Sequence, residues 1–139
     1  MISRELRIQY SEYTGTEALP EPWARLVEAA RKAADQAYSP YSGFRVGAAV
    51  LLADGTVLTG NNQENAAYPS GLCAERTVLF YANANFPGVP VEAMAITAAN
   101  ARGQVNEPVK PCGACRQVLL ETEARYSHPI RMILDGKKR

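Results

Sequence analysis

The sequence of this 139-residue chain predicts an α/β fold built on a mixed sheet. Three observations lead there. Apolar residues recur at helical spacing from Trp23 to Ala37. The apolar run Phe44–Ala53 meets the turn dipeptide Asp54-Gly55 and then a second short run. From Cys73 onward, helical and strand patterns alternate, which requires crossovers that pack helices on a sheet. The expected architecture is a three-layer α/β/α sandwich.

The elements follow in order. Residues 1–19 read as an extension ahead of the main domain, 20–139, with a short strand expected around Arg7–Tyr13. Pro20 and Pro22 open a helix, where their fixed φ is tolerated. Trp23, Leu26, Val27, Ala30, Ala33, Ala34 and Ala37 mark its apolar face, and Ser39-Pro40-Tyr41-Ser42-Gly43 breaks it. Phe44–Ala53 and Thr56–Thr59 form a hairpin, and the polar stretch 60–71 is a long loop of the kind that often carries function. Cys73–Asn85 is a helix, Val91–Ala98 a strand, 99–111 a loop, Cys112–Ala124 a helix and Ile130–Leu134 a strand.

Composition narrows the function. A 47% hydrophobic and 21% charged chain is ordinary for a folded domain that buries its own core. A net charge of +1 argues against a broad basic face for polynucleotides, and the Lys137-Lys138-Arg139 run reads as a solvated tail. No apolar stretch approaches the roughly 18 residues that span a bilayer, and the first residues hold no apolar leader, so a cytoplasmic location is expected. Three cysteines cannot all pair within the chain, and in a reducing compartment such a cluster more often binds metal or does chemistry.

The sharpest feature is Cys73-Ala74-Glu75 together with Pro111-Cys112-Gly113-Ala114-Cys115. Cys112 and Cys115 can converge on one ion at a helix start, and Cys73 adds a third thiolate. Structural zinc sites normally take four protein ligands, whereas three ligands leave a position for water. The only histidine, His128, has no ligand-like spacing. The pattern therefore favours a catalytic zinc, on which a water reaches a pKa of about 7. Three thiolates leave such a site formally at −1. Helix N-termini at Cys73 and at the Cys112/Cys115 pair offset that charge, and either Arg76 or Arg116 is placed to donate to a thiolate. Glu75 can face the metal without ligating it and carry a proton. A redox Cys-x-x-Cys, or a purely structural zinc, remains the plainer reading of the cysteines alone.

Cys-Ala-Glu with Pro-Cys-x-x-Cys matches the zinc nucleobase deaminase signature, with cysteine as its first ligand. From about Ala30 to Leu134 the chain also resembles the small, tetrameric cytidine deaminases. The segments carrying the resemblance are Tyr38–Ser42 with Phe44 and Val46–Ala49, Asn62–Tyr68, Cys73–Thr77 and Pro111–Gln117. The resemblance implies one Zn²⁺ per subunit on Cys73, Cys112 and Cys115, with Glu75 as the catalytic proton carrier. Phe44 would pack on the pyrimidine, Asn62 and Glu64 would bind the ribose hydroxyls, backbone at Ala74 would hold the base, and Arg76 would temper the thiolates. A homotetramer deaminating cytidine and deoxycytidine in pyrimidine salvage is the expectation. Asn61 stands where the family commonly has cysteine, which should be neutral. The family's closing C-terminal strand and segment have no counterpart here, so either this sequence is a fragment of a longer chain or the sheet edge and substrate lid are incomplete.

Three other readings stand beside this one. A deaminase of a related nucleoside such as blasticidin S would share the chemistry. A polynucleotide-editing deaminase would need a basic or aromatic channel. A zinc-stabilised binding module without activity would have no need of Glu75.

Overall fold

The structure is a computed structural model and describes residues 1–138, so Arg139 of the basic tail lies outside the described residues. Its main elements are α1 (Glu21–Asp35), β1 (Arg45–Leu52), β2 (Val57–Asn61), α2 (Ala74–Asn85), β3 (Val91–Asn100), β4 (Gly103–Gln104), α3 (Gly113–Tyr126) and β5 (Arg131–Leu134). Short 3-10 turns at Thr16–Ala18 and Tyr68–Ser70 punctuate the loops. The sheet order is β2-β1-β3-β4, and β5 also pairs with β3. Every pairing is antiparallel except β3 with β5, which the α3 crossover makes parallel.

The sandwich arises from strict alternation along the two central strands. Ala49, Ala93 and Ala95 face α1 and pack on Leu26, Val27 and Ala30. Ala48, Val50, Leu52, Met94 and Ile96 face the opposite way and pack on Val78, Leu79 and Ala82 of α2 and Leu119 of α3. Adjacent residues serve opposite layers because a strand has a side-chain period of two.

Two glycines set how closely the helices approach. A Cβ on Gly47 would stand 2.0 Å from the Ala30 carbonyl oxygen and 2.5 Å from the Ala34 nitrogen. A Cβ on Gly60 would stand 2.8 Å from the Val78 nitrogen and 3.1 Å from the Ala74 carbonyl oxygen. Real Cβ atoms do not tolerate such contacts, so α1 presses on β1 from one face and the first turns of α2 press on β2 from the other.

Two expectations are corrected. Residues 7–13 form no strand and have no sheet partner, because an alternating pattern yields a strand only where another strand receives it. The stretch 99–111 is not loop throughout. Asn100 Oδ1 accepts the Arg102 N–H at 2.8 Å, Gly103 takes φ 97°, and the chain reverses to lay β4 on Ala99 and Asn100.

A buried carboxylate ties α1 to the far edge of the sheet. Asp135 follows β5 and accepts two bonds from Arg31, Nε at 2.9 Å and Nη2 at 2.8 Å, one from Thr97 Oγ1 at 2.8 Å and one from Gln104 Nε2 at 2.7 Å. The fork of Arg31 matches the carboxylate in the bidentate geometry that makes such pairs strong. Asp135 raises the Arg31 guanidinium above its ordinary pKa, against the opposing effect of burial.

Candidate metal centre

Both cysteine motifs lie at helix starts. Cys73 is the N-cap of α2 and Cys112 the N-cap of α3, each in extended backbone, and Cys115 lies in the first turn of α3. The two N-termini face one point, so the unpaired N–H groups of both helices contribute positive potential there. Cys73 Sγ lies 3.9 Å from Cys112 Sγ, Cys112 Sγ lies 3.5 Å from Cys115 Sγ, and all three sulfurs fall within 4.8 Å of one another. Tetrahedral zinc with Zn–S near 2.3 Å needs sulfurs about 3.8 Å apart. The donor set fits such an ion without rearrangement of the helices. It is the only cluster of three or more metal-binding side chains among the described residues. His128 plays no part, its Nδ1 lying 2.9 Å from the Pro129 carbonyl oxygen.

The three thiols differ in environment. The Cys115 backbone N–H faces Cys112 and pulls its thiol below the ordinary range. Cys115 is fully buried, and burial followed by the charge of Glu75 pushes its thiol up. A cation among the sulfurs would reverse that balance and favour thiolates.

Glu75 is the second residue of α2 and only 5% exposed. Burial raises its carboxyl above the usual carboxylate range, while its own backbone N–H, Cys115 and Arg76 draw it back. Arg76 Nη2 lies 3.6 Å from Cys73 Sγ, and its Nε is buried without a partner. Of the two arginines expected to face a thiolate, Arg76 does so. Arg116 instead donates Nε to the Pro111 carbonyl at 2.9 Å, because its side chain folds back over the loop that delivers Cys112.

The remaining candidates form a second network. Asn62 Oδ1 accepts the Val46 N–H at 2.7 Å and Nδ2 donates to the Phe44 carbonyl at 2.9 Å. The Glu64 carboxylate accepts the N–H groups of Tyr41 at 2.8 Å and Ser42 at 3.3 Å, and also the Ser42 hydroxyl. Ser42 Oγ in turn accepts the Phe44 N–H at 3.0 Å. The Ser42 hydroxyl, then the two amides, hold Glu64 below the ordinary carboxylate range. Half-buried Phe44 is thereby fixed from both sides at the foot of β1.

One feature joining the two networks escapes sequence reading. Gln63, between Asn62 and Glu64, exchanges both backbone bonds with Leu72, the residue before Cys73, at 3.0 Å each. On its other side Tyr38 donates to the Asn62 carbonyl at 3.1 Å and accepts from the Glu64 N–H at 2.8 Å. Three chain segments that read as loop are thus a short ladder of isolated bridges. Asn61 links it to α1, its Oδ1 accepting from Gln63 Nε2 at 2.6 Å and its Nδ2 donating to the Ala33 carbonyl at 3.0 Å.

Convergent thiols, two helix N-termini and a buried carboxylate are the parts of a thiolate metal centre with a proton-handling group at hand. The Cytidine and deoxycytidylate deaminase zinc-binding region model matches residues 21–127. A cytidine deaminase of Sporosarcina psychrophila is 48% identical over 98 residues, covering 70% of this chain and 67% of its own length. A cytidine deaminase of Mycobacterium tuberculosis H37Rv is 43% identical over 112 residues, covering 78% and 80%. The crystal structure of cytidine deaminase from Burkholderia pseudomallei superposes with a TM-score of 0.65 at 38% identity, covering 82% of this chain and 90% of that one. The chain belongs to the cytidine and deoxycytidylate deaminase zinc-binding family.

Proposed function

We propose that this protein hydrolyses cytidine and deoxycytidine to uridine and deoxyuridine, releasing ammonia, with one zinc ion per subunit on Cys73, Cys112 and Cys115. The observation that carries the reading is Glu75, a buried carboxyl beside three sulfurs spaced for one tetrahedral ion. Zinc held by Cys73, Cys112 and Cys115 would supply a water acidic enough to act as a nucleophile near neutral pH. Glu75 supplies the proton traffic. It protonates N3 of the pyrimidine, which makes C4 electrophilic. It takes the proton of the attacking water, and it passes one to the amine as the C4–N bond breaks. Burial suits this role, because it brings a carboxyl closer to the neutral pH at which it must both give and accept. Arg76 tempers the Cys73 thiolate.

Phe44 packs on the pyrimidine, and the backbone at Ala74 holds its edge. Glu64 and Asn62 receive the sugar. A carboxylate offers about four acceptor sites, and Tyr41, Ser42 N–H and Ser42 Oγ use three of Glu64's, so one remains for a hydroxyl. Asn62 Nδ2 keeps a second N–H after serving Phe44. A free base lacking the sugar would forgo both contacts.

Residues 20–139 are the catalytic domain and 1–19 an extension. We assign the enzyme to pyrimidine salvage as a homotetramer. Three reduced cysteines favour a cytoplasmic setting. No helix among the described residues is long and apolar enough to cross a membrane.

The test is ammonia release from cytidine by zinc-loaded protein beside Glu75→Gln. The variant is expected to retain zinc and lose at least about 10²-fold in kcat. Near-normal turnover by the variant would overturn the mechanism. Release from blasticidin S but not cytidine would move the substrate assignment.

A further inference from the structure

The residues that end the first hairpin alternate between two faces of the sheet. Asn61 is the last residue of β2 and pairs with Gly47 of β1. Cross-strand partners share a face. A Cβ on Gly47 would point into α1, so the Asn61 side chain rises on the α1 side. Gly60 pairs with Ala48 and faces Ala74 and Val78 of α2. A side-chain period of two puts Asn62 with Gly60, on the side of the metal centre, and Gln63 with Asn61, on the side of α1.

The hydrogen bonds follow that division. Asn62 and Glu64 meet the backbone of Tyr41, Ser42, Phe44 and Val46. Gln63 Nε2 instead donates to Asn61 Oδ1 at 2.6 Å, and Asn61 Nδ2 donates to the Ala33 carbonyl at 3.0 Å. Ala33 lies in the last turn of α1, where carbonyls run out of helical partners. Its oxygen takes the Gln36 N–H at 3.1 Å and Asn61 Nδ2, which fills both lone pairs. The close approach of α1 at Gly47 makes this reach possible. Backbone bonds from Gln63 to Leu72, and from Asn62 and Glu64 to Tyr38, hold the same segment sideways. The Asn61–Gln63 pair adds a hold in the third direction, through the sheet to α1.

We propose that Asn61 and Gln63 are positioning residues for sugar recognition: bonded to each other and to α1, they fix the height of the backbone that presents Asn62 and Glu64. The inference rests on the reading of Asn62 and Glu64 as the sugar-binding pair. The sulfurs and Glu75 are carried by α2 and α3 and take no part in the clamp. Its loss should therefore weaken contacts to the sugar hydroxyls and leave the chemistry at the pyrimidine alone. Asn61, expected from the resemblance to be neutral, acquires a role. A thiol at this position, a weak donor and a weak acceptor, would serve Ala33 and Gln63 poorly.

The test compares the zinc-loaded parent chain with Asn61→Leu, which removes both side-chain bonds at similar volume, and with Gln63→Met, which removes the outer bond at an exposed position. The substrates are cytidine and 2′,3′-dideoxycytidine, which keeps the sugar ring and lacks its two hydroxyls. Asn61→Leu should raise KM for cytidine about tenfold, the worth of one hydrogen bond, with kcat within about twofold of the parent. For the dideoxy compound kcat/KM should stay within about twofold, so the preference for cytidine falls about tenfold. Gln63→Met should shift the same way by about threefold, and it keeps the test open where Asn61→Leu does not fold. Equal losses on both substrates would mark a merely structural role and overturn the proposal, as would an unchanged preference in both variants. Amide hydrogen exchange separates the clamp from the reading beneath it. The Gln63, Glu64 and Leu72 amides, each bonded in the ladder, should exchange at least about tenfold faster in Asn61→Leu than in the parent. A parent that releases no ammonia from cytidine would sink the sugar-binding reading. Exchange still decides the clamp in that case, and unchanged exchange overturns it alone.

Discussion

Gly60→Ala tests the idea that the hairpin sets the start of α2, and with it Cys73 and Glu75. The new methyl would meet Val78 N at 2.8 Å, Val78 Cβ at 2.9 Å and Ala74 O at 3.1 Å. Ordinary carbon contacts lie near 3.5–4.0 Å, so α2 must retreat by about 0.6 Å or more. Two of the three obstacles are backbone, which no rotamer change relieves. Overpacking of this kind costs about 1–3 kcal/mol. With an unfolding entropy of about 2.1 cal/mol/K per residue, this chain loses about 3.4 °C per kcal/mol, a fall of roughly 3–10 °C. The catalytic loss should be larger in proportion, because misplacement by about 1 Å at a reacting centre costs about 10²-fold; a 10- to 100-fold fall in kcat/KM is expected. The assay is a melting curve of zinc-loaded protein paired with ammonia release from cytidine. Unchanged melting with unchanged kcat/KM would refute the reasoning.

Three further outcomes follow from the structure. Arg31→Ala strips the charged partner from buried Asp135 while leaving Thr97 and Gln104 bound to it; a loss of about 2–3 kcal/mol is expected from denaturant unfolding, below the full penalty of an orphaned ion because Arg31 is partly solvated. Glu64 has a depressed pKa in the folded state, so its contribution is complete above the ordinary carboxylate pKa near 4.3 and disappears as pH falls through the lower folded value. The Tyr41 and Ser42 amide NMR shifts should then titrate below 4.3, and a midpoint above it would contradict the network. Chelation should lower the melting temperature by on the order of 10 °C, since an ion at about 1,000 times its Kd contributes about 4 kcal/mol; an unmoved melt with zinc removed would show that the sulfurs need no ion to stay together.

The reading from sequence succeeded where local pattern and final environment agree. The helical face expected from Trp23 to Ala37 became α1, which ends at Asp35 and leaves Ala37 outside; Asp54-Gly55 became the turn between β1 and β2, and both cysteine motifs became helix starts. It failed where the deciding partner is distant or backbone-borne. Residues 7–13 carry strand pattern, but pattern does not name the neighbour. Asp135 sits beside Gly136 and the basic tail and reads as surface, yet its partner Arg31 is 104 residues away. The β3–β4 turn hides in Asn100-Ala101-Arg102-Gly103, whose signal is one Asx bond and one positive φ. The segment 60–71 is polar and irregular in sequence, and the Gln63–Leu72 pairing inside it uses backbone atoms only, so no side chain announces it. Among site residues, proximity of the three sulfurs was legible from spacing, whereas the choice of Arg76 over Arg116 depended on how each side chain folds back.

The Gln63–Leu72 pairing also divides that loop into two mechanical parts. Residues 65–71 hang from a closed base, so their conformation is uncoupled from the distance between Asn62 and Cys73. Changes in length between Asn65 and Ser70 then act on an appendage already looped shut, at about 0.6 kcal/mol for each doubling. Asn62 and Cys73 keep their spacing through such changes. The outward stretch around Tyr68, 91% exposed, is free to vary in reach and contact without disturbing the distance between Asn62 and Cys73.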